Sequence, residues 1–226
     1  MFAYILMGGI FILSMIVQNS LKSKFAKYSK VSLGVPMAGR DIAAAMLQQN
    51  GCSNVQVTSV SGQLTDHFNP ANSTVNLSEP VYGTNSIAAA AVAAHECGHA
   101  VQHKVGYSML QLRTKLVPVV SFASKTVQWL LLAGILIVEV TPIPLYIALA
   151  MFAMTVLFSF VTLPVEVDAS RRAIKWLEGS GIVSGEQLGY AKDALHAAAY
   201  TYVVAAIGSL ATLFYYAMMF LGGNRR

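Results

Sequence analysis

Four stretches of the chain are nearly free of charge, and the charged and polar positions gather between them. No charge appears before Lys22, so residues 1–17 are almost wholly apolar. Residues 116–138 are apolar with interruptions at Lys125 and Gln128, and residues 145–163 and 202–221 are again uncharged. A helix needs about 17–25 mostly apolar residues to cross a bilayer, so each stretch suffices, the first only just. The pattern predicts four membrane helices, at 1–18, 116–138, 145–163 and 198–221. The first reads as an anchor, because it lacks the basic start and the small-x-small cleavage site of a secretory signal.

The hydrophilic part at 19–115 changes period. Residues 32–51 read as an amphipathic helix, opened by Gly39-Arg40-Asp41, carried by Ile42, Ala45 and Met46, and closed by Asn50-Gly51. Residues 55–60 alternate as a strand does, 66–72 read as a loop, and 73–78 as a second short strand. Residues 75–78 are expected to form a sheet edge that can receive a substrate backbone; the plainer alternative is a structural hairpin. The alanine-rich run 87–101 favours a helix, with Asn85 or Ser86 as its cap. Pro164 is expected to open a separate amphipathic helix to about residue 177. A loop at 179–185 and a polar helix at 186–196 then complete a second hydrophilic part, 164–197.

Composition strengthens the membrane reading. Of 226 residues, 55% are hydrophobic and 11% charged, whereas soluble domains carry about 25% charged residues. Fifteen basic against 10 acidic residues give a net charge of +5, an excess that in such a chain reports orientation. The bases Lys22, Lys24, Lys27, Lys30 and Arg40 lie in one hydrophilic part, and Arg171, Arg172, Lys175 and Lys192 in the other. The connection between the second and third apolar stretches carries none. Both hydrophilic parts are therefore expected on the cytoplasmic side; only Arg225 and Arg226 run against this. No basic run interleaved with aromatics suggests nucleic acid as a partner. The two cysteines, Cys52 and Cys97, imply no disulfide framework and fit a reducing compartment.

The candidate chemistry lies at His95-Glu96-Cys97-Gly98-His99. On a helix, residues four apart share a face, so His95 and His99 can offer imidazoles to one Zn2+. Glu96 then stands beside the metal, where a carboxylate can take a proton from water that zinc has acidified. Cys97 is expected to face away from the histidines. A catalytic zinc site needs a third protein ligand and an open position. His103 lies further along the same helix and cannot help to surround the ion; the better candidate is Glu166, on the cytoplasmic end of the third apolar stretch and so on the same side as His95 and His99. Asp168 either orients a histidine ring from behind or pairs with Arg171 or Arg172.

Several segments together resemble the bacterial YugP-type neutral zinc metallopeptidases. They are Asp66-His67-Phe68, Val75-Asn76-Leu77-Ser78-Glu79, residues 88–102 around the His-Glu-x-Gly-His core, and Leu163-Pro164-x-Glu166-x-Asp168-Ala169-Ser170-Arg171-Arg172-Ala173. Ala197-Ala198-Ala199-x-Thr201-Tyr202-Val203 belongs with them. The layout, two spans between the histidine motif and a helical glutamate, is also similar to the HtpX-like group of membrane gluzincins. The resemblance implies Glu166 as third zinc ligand, Glu96 as general base and a bacterial inner membrane as the location. One departure is Ser170, where the HtpX-like pattern has an aspartate; the support behind the ligands then differs unless Asp168 replaces it.

The expected fold is a mainly α membrane protein, with about four transmembrane helices and a small cytoplasmic zincin-like α+β part. The expected function is a membrane-embedded zinc metalloendopeptidase that hydrolyses peptide bonds of membrane or misfolded proteins at the cytoplasmic face. His67, Tyr202, Arg171 and His196 are candidate donors to the developing oxyanion, with His67 the first choice. The bilayer and protein or peptide substrates are the expected partners, with a membrane protease or chaperone assembly and a homo-oligomer as further ones. The rival function is a zinc-binding membrane adaptor or regulatory subunit of such an assembly. Glu96 argues against it, since a structural site needs ligands and no base.

Overall fold

The computed structural model describes residues 2–183 and 185–222. Arg225 and Arg226, the two bases set against the charge pattern, lie outside the described residues. The elements run α1 (Phe2–Tyr28), α2 (Gly39–Gln49), β1 (Gln56–Val60), β2 (His67–Asn69), β3 (Thr74–Ser78), α3 (Glu79–Tyr82), α4 (Ile87–Lys104), α5 (Ser108–Leu136), α6 (Ile143–Ser180) and α7 (Glu186–Gly222). Four helices, α1, α5, α6 and α7, are long and apolar enough to cross a membrane. Their apolar side chains are largely exposed, among them Phe11, Trp129, Ile147 and Phe214.

These long helices do not stop where the hydropathy changes. α1 runs on through Lys22, Lys24 and Lys27, and α7 joins the polar stretch 186–196 to the apolar one without a break. Pro164 does not open a new helix: α6 passes through it. A proline removes one main-chain hydrogen bond, and here Val165, Glu166, Ala169, Ala173 and Leu177 all bury one face of the helix beyond it. That packing holds the helix across the lost bond.

The sheet corrects the expected edge. Its strand order is β1-β3-β2, with β1 parallel and β2 antiparallel to β3. β3, which contains residues 75–78, is therefore the central strand and is buried along its length. Part of the stretch read as a loop is a strand: β2, three residues long, is the edge next to α4. Asp66 fixes the chain just before it, accepting from Ser78 N at 2.7 Å and Ser78 Oγ at 2.9 Å.

α4 is buried on almost every side, as its apolar first half, Ile87–Ala94, requires. Its alanines let α2, the sheet and the polar parts of α6 and α7 approach closely, with Ile42, Met46, Leu77, Leu177 and Leu195 filling the space between. Gly39 permits a separate close approach, of α2 to α3, since a Cβ there would stand 2.1 Å from the carbonyl oxygen of Val81. The helix expected over 32–51 begins only at Gly39, with Asp41 accepting from Ala38 N at 2.8 Å. Residues 32–35 are instead held by Asn85, whose Oδ1 accepts from Leu33 N at 3.0 Å and whose Nδ2 donates to Val35 O. α1 and α7 are tied by Asp193, which pairs with Lys24 at 2.6 Å and accepts from Tyr28 Oη at 2.7 Å.

Of the two cap candidates, Ser86 is the cap of α4: its Oγ accepts from Ala89 N at 3.2 Å. Ser86→Ala is expected to cost about 1 kcal/mol, read as a lower melting temperature in detergent. Asn85→Ala is expected to act on the 32–35 segment, seen as faster hydrogen exchange at the Leu33 amide.

Candidate metal centre

The histidines come from α4 and the carboxylate from α6, and the two helices meet at a glycine. A Cβ on Gly98 would lie 2.5 Å from the carbonyl oxygen of Ala169 and 3.1 Å from its Cα. No side chain fits there, so the helix backbones touch between His95 and His99. Ala169 is three residues after Glu166, and this contact sets the Glu166 carboxylate against both rings. His95 Nε2 is 3.2 Å and His99 Nε2 3.5 Å from the same oxygen, Oε2.

One atom from each of His95, His99 and Glu166 can be chosen so that all lie within 4.8 Å of one another. Ligands about 2.0–2.2 Å from a tetrahedral zinc lie about 3.3–3.6 Å apart, close to both nitrogen–oxygen distances seen here. The donor set, two imidazoles and a carboxylate, is also one that zinc takes. Glu166 is 3% exposed and Glu96 8%. The residues present fit the ion.

Each ring is held from behind. His95 Nδ1 is 3.1 Å from Ser170 Oγ, so Ser170 occupies the supporting place where a carboxylate was lacking. Asp168 does not replace it there. It accepts from Gln102 Nε2 at 2.8 Å and pairs with Arg172 Nε at 2.6 Å. Gln102 Nε2 also donates to Val165 O at 2.8 Å, which turns the amide oxygen toward His99 Nδ1 at 3.0 Å. An amide oxygen only accepts, so Nδ1 carries the hydrogen; Nε2 then offers its lone pair to a metal in the neutral ring and donates to Glu166 in the protonated one. Burial pushes the His99 imidazole down, but Glu166, Glu96 and Gln102 outweigh it, and its pKa is raised. The site favours positive charge at this point.

Gln102, three residues after His99 and fully buried, went unnoticed in the sequence; its place on the histidine face of the helix was the available signal. Arg113 was missed as well. It stands on the first turns of α5, with Nη1 3.6 Å from Glu166 Oε1. Cys97 faces α2, its thiol donating to Ala43 O at 3.5 Å, and burial pushes its pKa well up. His103 is exposed and its ring lies 5.7 Å from that of Phe68.

A cavity of about 390 Å³ opens over the cluster. His67, Glu96, Arg113 and Tyr202 line it, while Arg171 and His196 do not. Among the described residues Glu96 makes no hydrogen bond or ion pair, which leaves its carboxylate oxygens available. Tyr202, from α7, faces Glu166 and Glu96. His67 Nδ1 lies 2.8 Å from Thr65 O, so a neutral ring donates there and offers only an acceptor at Nε2.

The family model described as "Putative neutral zinc metallopeptidase" matches residues 3–221. The chain belongs to this family. It is also 44% identical over 212 residues to "Putative membrane protease YugP" of Bacillus subtilis (strain 168), covering 94% of this chain and 93% of that protein. No solved structure matches the chain. Membership agrees with the donor set described above, and zinc is the metal both indicate.

The helix contact can be probed directly. Gly98→Ala is expected to cost about 1–3 kcal/mol or more, since backbone atoms must give way. Cys97→Ala, which trims one buried sulfur, is expected to cost about 1 kcal/mol. Melting temperatures of the two proteins in the same detergent provide the comparison.

Proposed function

We propose that the protein is a membrane-embedded zinc endopeptidase whose site faces the cytoplasm, with membrane or misfolded proteins as its substrates. The observation that carries the reading is the convergence of His95, His99 and Glu166 on one point, with the unpaired Glu96 carboxylate in the same cavity. The four long apolar helices, the basic residues clustered in the two hydrophilic parts and the membrane-protease name of the Bacillus relative support the placement. The order of the His-Glu-x-x-His helix and a glutamate on a later helix is that of a zincin of the gluzincin kind.

His95 Nε2, His99 Nε2 and the Glu166 carboxylate would hold the metal. Zinc, when bound, acts as a Lewis acid and brings the pKa of water toward neutrality. Glu96 accepts the proton of the attacking water and returns it to the leaving amine. Tyr202 Oη and the Arg113 guanidinium are the donors suited to the carbonyl oxygen as it gains charge. His67 suits that role less well while its ring is neutral, because its hydrogen is given to Thr65. Among the described residues β2 pairs with β3 alone, so its outer edge can pair with a substrate backbone. Ser170 and the Asp168–Gln102 pair keep both rings turned for binding.

Glu96→Gln is expected to retain zinc and to lose about 10²–10⁴-fold in cleavage of casein, measured on detergent-purified protein at matched zinc content. Equal cleavage by the two proteins would overturn the assignment. If neither cleaves while both hold zinc, the adaptor reading takes its place. Gln102→Leu, which frees the His99 tautomer, is expected to weaken zinc about 10–100-fold in competition with a chelator.

A further inference from the structure

The cavity above the metal centre is one section of a longer groove. A second hollow of about 160 Å³ shares Asp66, His95, Glu96 and Tyr202 with it. A third, of about 350 Å³, shares Phe25, Leu64, Asp66 and Val92 with the second. The floor of all three is one face of α4: His103, His99 and His95, then Val92, then Ala88 and Ala89. From Ala88 to His103 that face rises about 22 Å at 1.5 Å per residue, the length of about seven residues of extended chain.

The groove changes chemistry along its length. The end toward α5 carries His67, His103 and Arg113. The middle hollow, toward α1 and α7, is walled by Leu21, Phe25, Leu64, Val92 and Leu195, and the hollow beyond it adds Lys22, Ser29 and Gln63. Leu64 is the unusual member of this wall. It has a left-handed backbone, φ 59°, and remains 68% exposed. A leucine in that conformation costs of order 1–3 kcal/mol, and its side chain recovers little through burial in its own fold. Asp66, bonded twice to Ser78, anchors the loop that holds it there.

We infer that the groove seats an extended peptide segment of about seven residues, and that Phe25, Leu64 and Val92 form an apolar subsite on one side of the scissile bond only. The substrate class is thereby narrowed to segments with a large apolar side chain on that side. This rests on the peptidase reading for its catalytic consequence, but peptide binding to the groove does not. Cavity continuity with the metal centre commits the groove to the substrate chain itself. Leu64 acts as a specificity residue, covering the seat from the loop side.

The test uses fluorescein-labelled seven-residue peptides of alanine and serine, with a single leucine moved through the positions. Full-length protein in detergent is used, as wild type for cleavage and as Glu96→Gln for binding by anisotropy. Leucine at one or two positions on one side of the bond is expected to raise kcat/KM and tighten binding at least tenfold. Leu64→Asn, whose side chain tolerates the left-handed backbone, is expected to remove most of that preference while zinc content and melting temperature hold. Val92→Trp, which fills the seat, is expected to remove it as well. Equal kcat/KM and equal binding for every leucine position, or an unchanged preference in both variants, would overturn the inference. Selective binding of the leucine peptides to Glu96→Gln, with no cleavage by zinc-loaded wild type, would uphold the groove and defeat the peptidase reading instead.

Discussion

The contact of Gly98 with the backbone of Ala169 is the constraint on which the site depends. Residues 71 positions apart in the chain, on two different helices, have to meet at backbone distance before a carboxylate on one can reach two imidazoles on the other. Ordinary helix pairs pack with axes 8–10 Å apart because side chains stand between them. Here one residue has no side chain and the opposing one has only a methyl group. The alanines of α4 extend the same condition along the helix, letting α2, the sheet and α7 close in around it. Small residues make the helix a hub, and the hub supplies the walls of the cavity.

Burying Glu166 would be unfavourable if it were alone, since a carboxylate taken from water costs several kcal/mol. Three cationic or polar partners answer that cost: two imidazoles against one oxygen and Arg113 near the other. The histidines are in turn fixed by neutral groups, a serine hydroxyl and an amide oxygen. Asp168 keeps its charge one step back, shared between Gln102 and Arg172. The two carboxylates Glu166 and Glu96 thus face the cavity, while the groups that touch the rings from behind are neutral.

Much of this was legible in the sequence. Four long apolar runs and a short His-Glu-x-x-His segment in an alanine-rich helix are local patterns, and local patterns survive folding. Glu166 was reachable because the apolar runs on either side restrict where it can stand. The sheet was not reachable: β2 is three residues long, too short for alternation to register, and the order β1-β3-β2 depends on contacts between distant segments. Pro164 misled because its local preference is for a break, whereas burial of Val165, Ala169 and Ala173 against α4 decides otherwise. Gln102 looked like a polar residue near a helix end, and only the position of Val165 and Asp168 on another helix gives it a task. Arg113 was one base among many until α5 placed it beside Glu166.

The Asp193 tie between α1 and α7 gives the site a history as well as a shape. Ribosomes deliver the chain from its first residue onward, so the histidine helix exists well before α6 carries Glu166 into reach. The wall made by Tyr202 and Leu195 arrives later still, when α7 docks against Lys24 and Tyr28. A chain made only as far as α5 therefore holds two ring nitrogens without their carboxylate, and one made as far as α6 holds His95, His99 and Glu166 without one side of the groove. A cluster drawn in turn from α4, α6 and α7 stays incomplete until three of the four long helices, and part of the fourth, have left the ribosome.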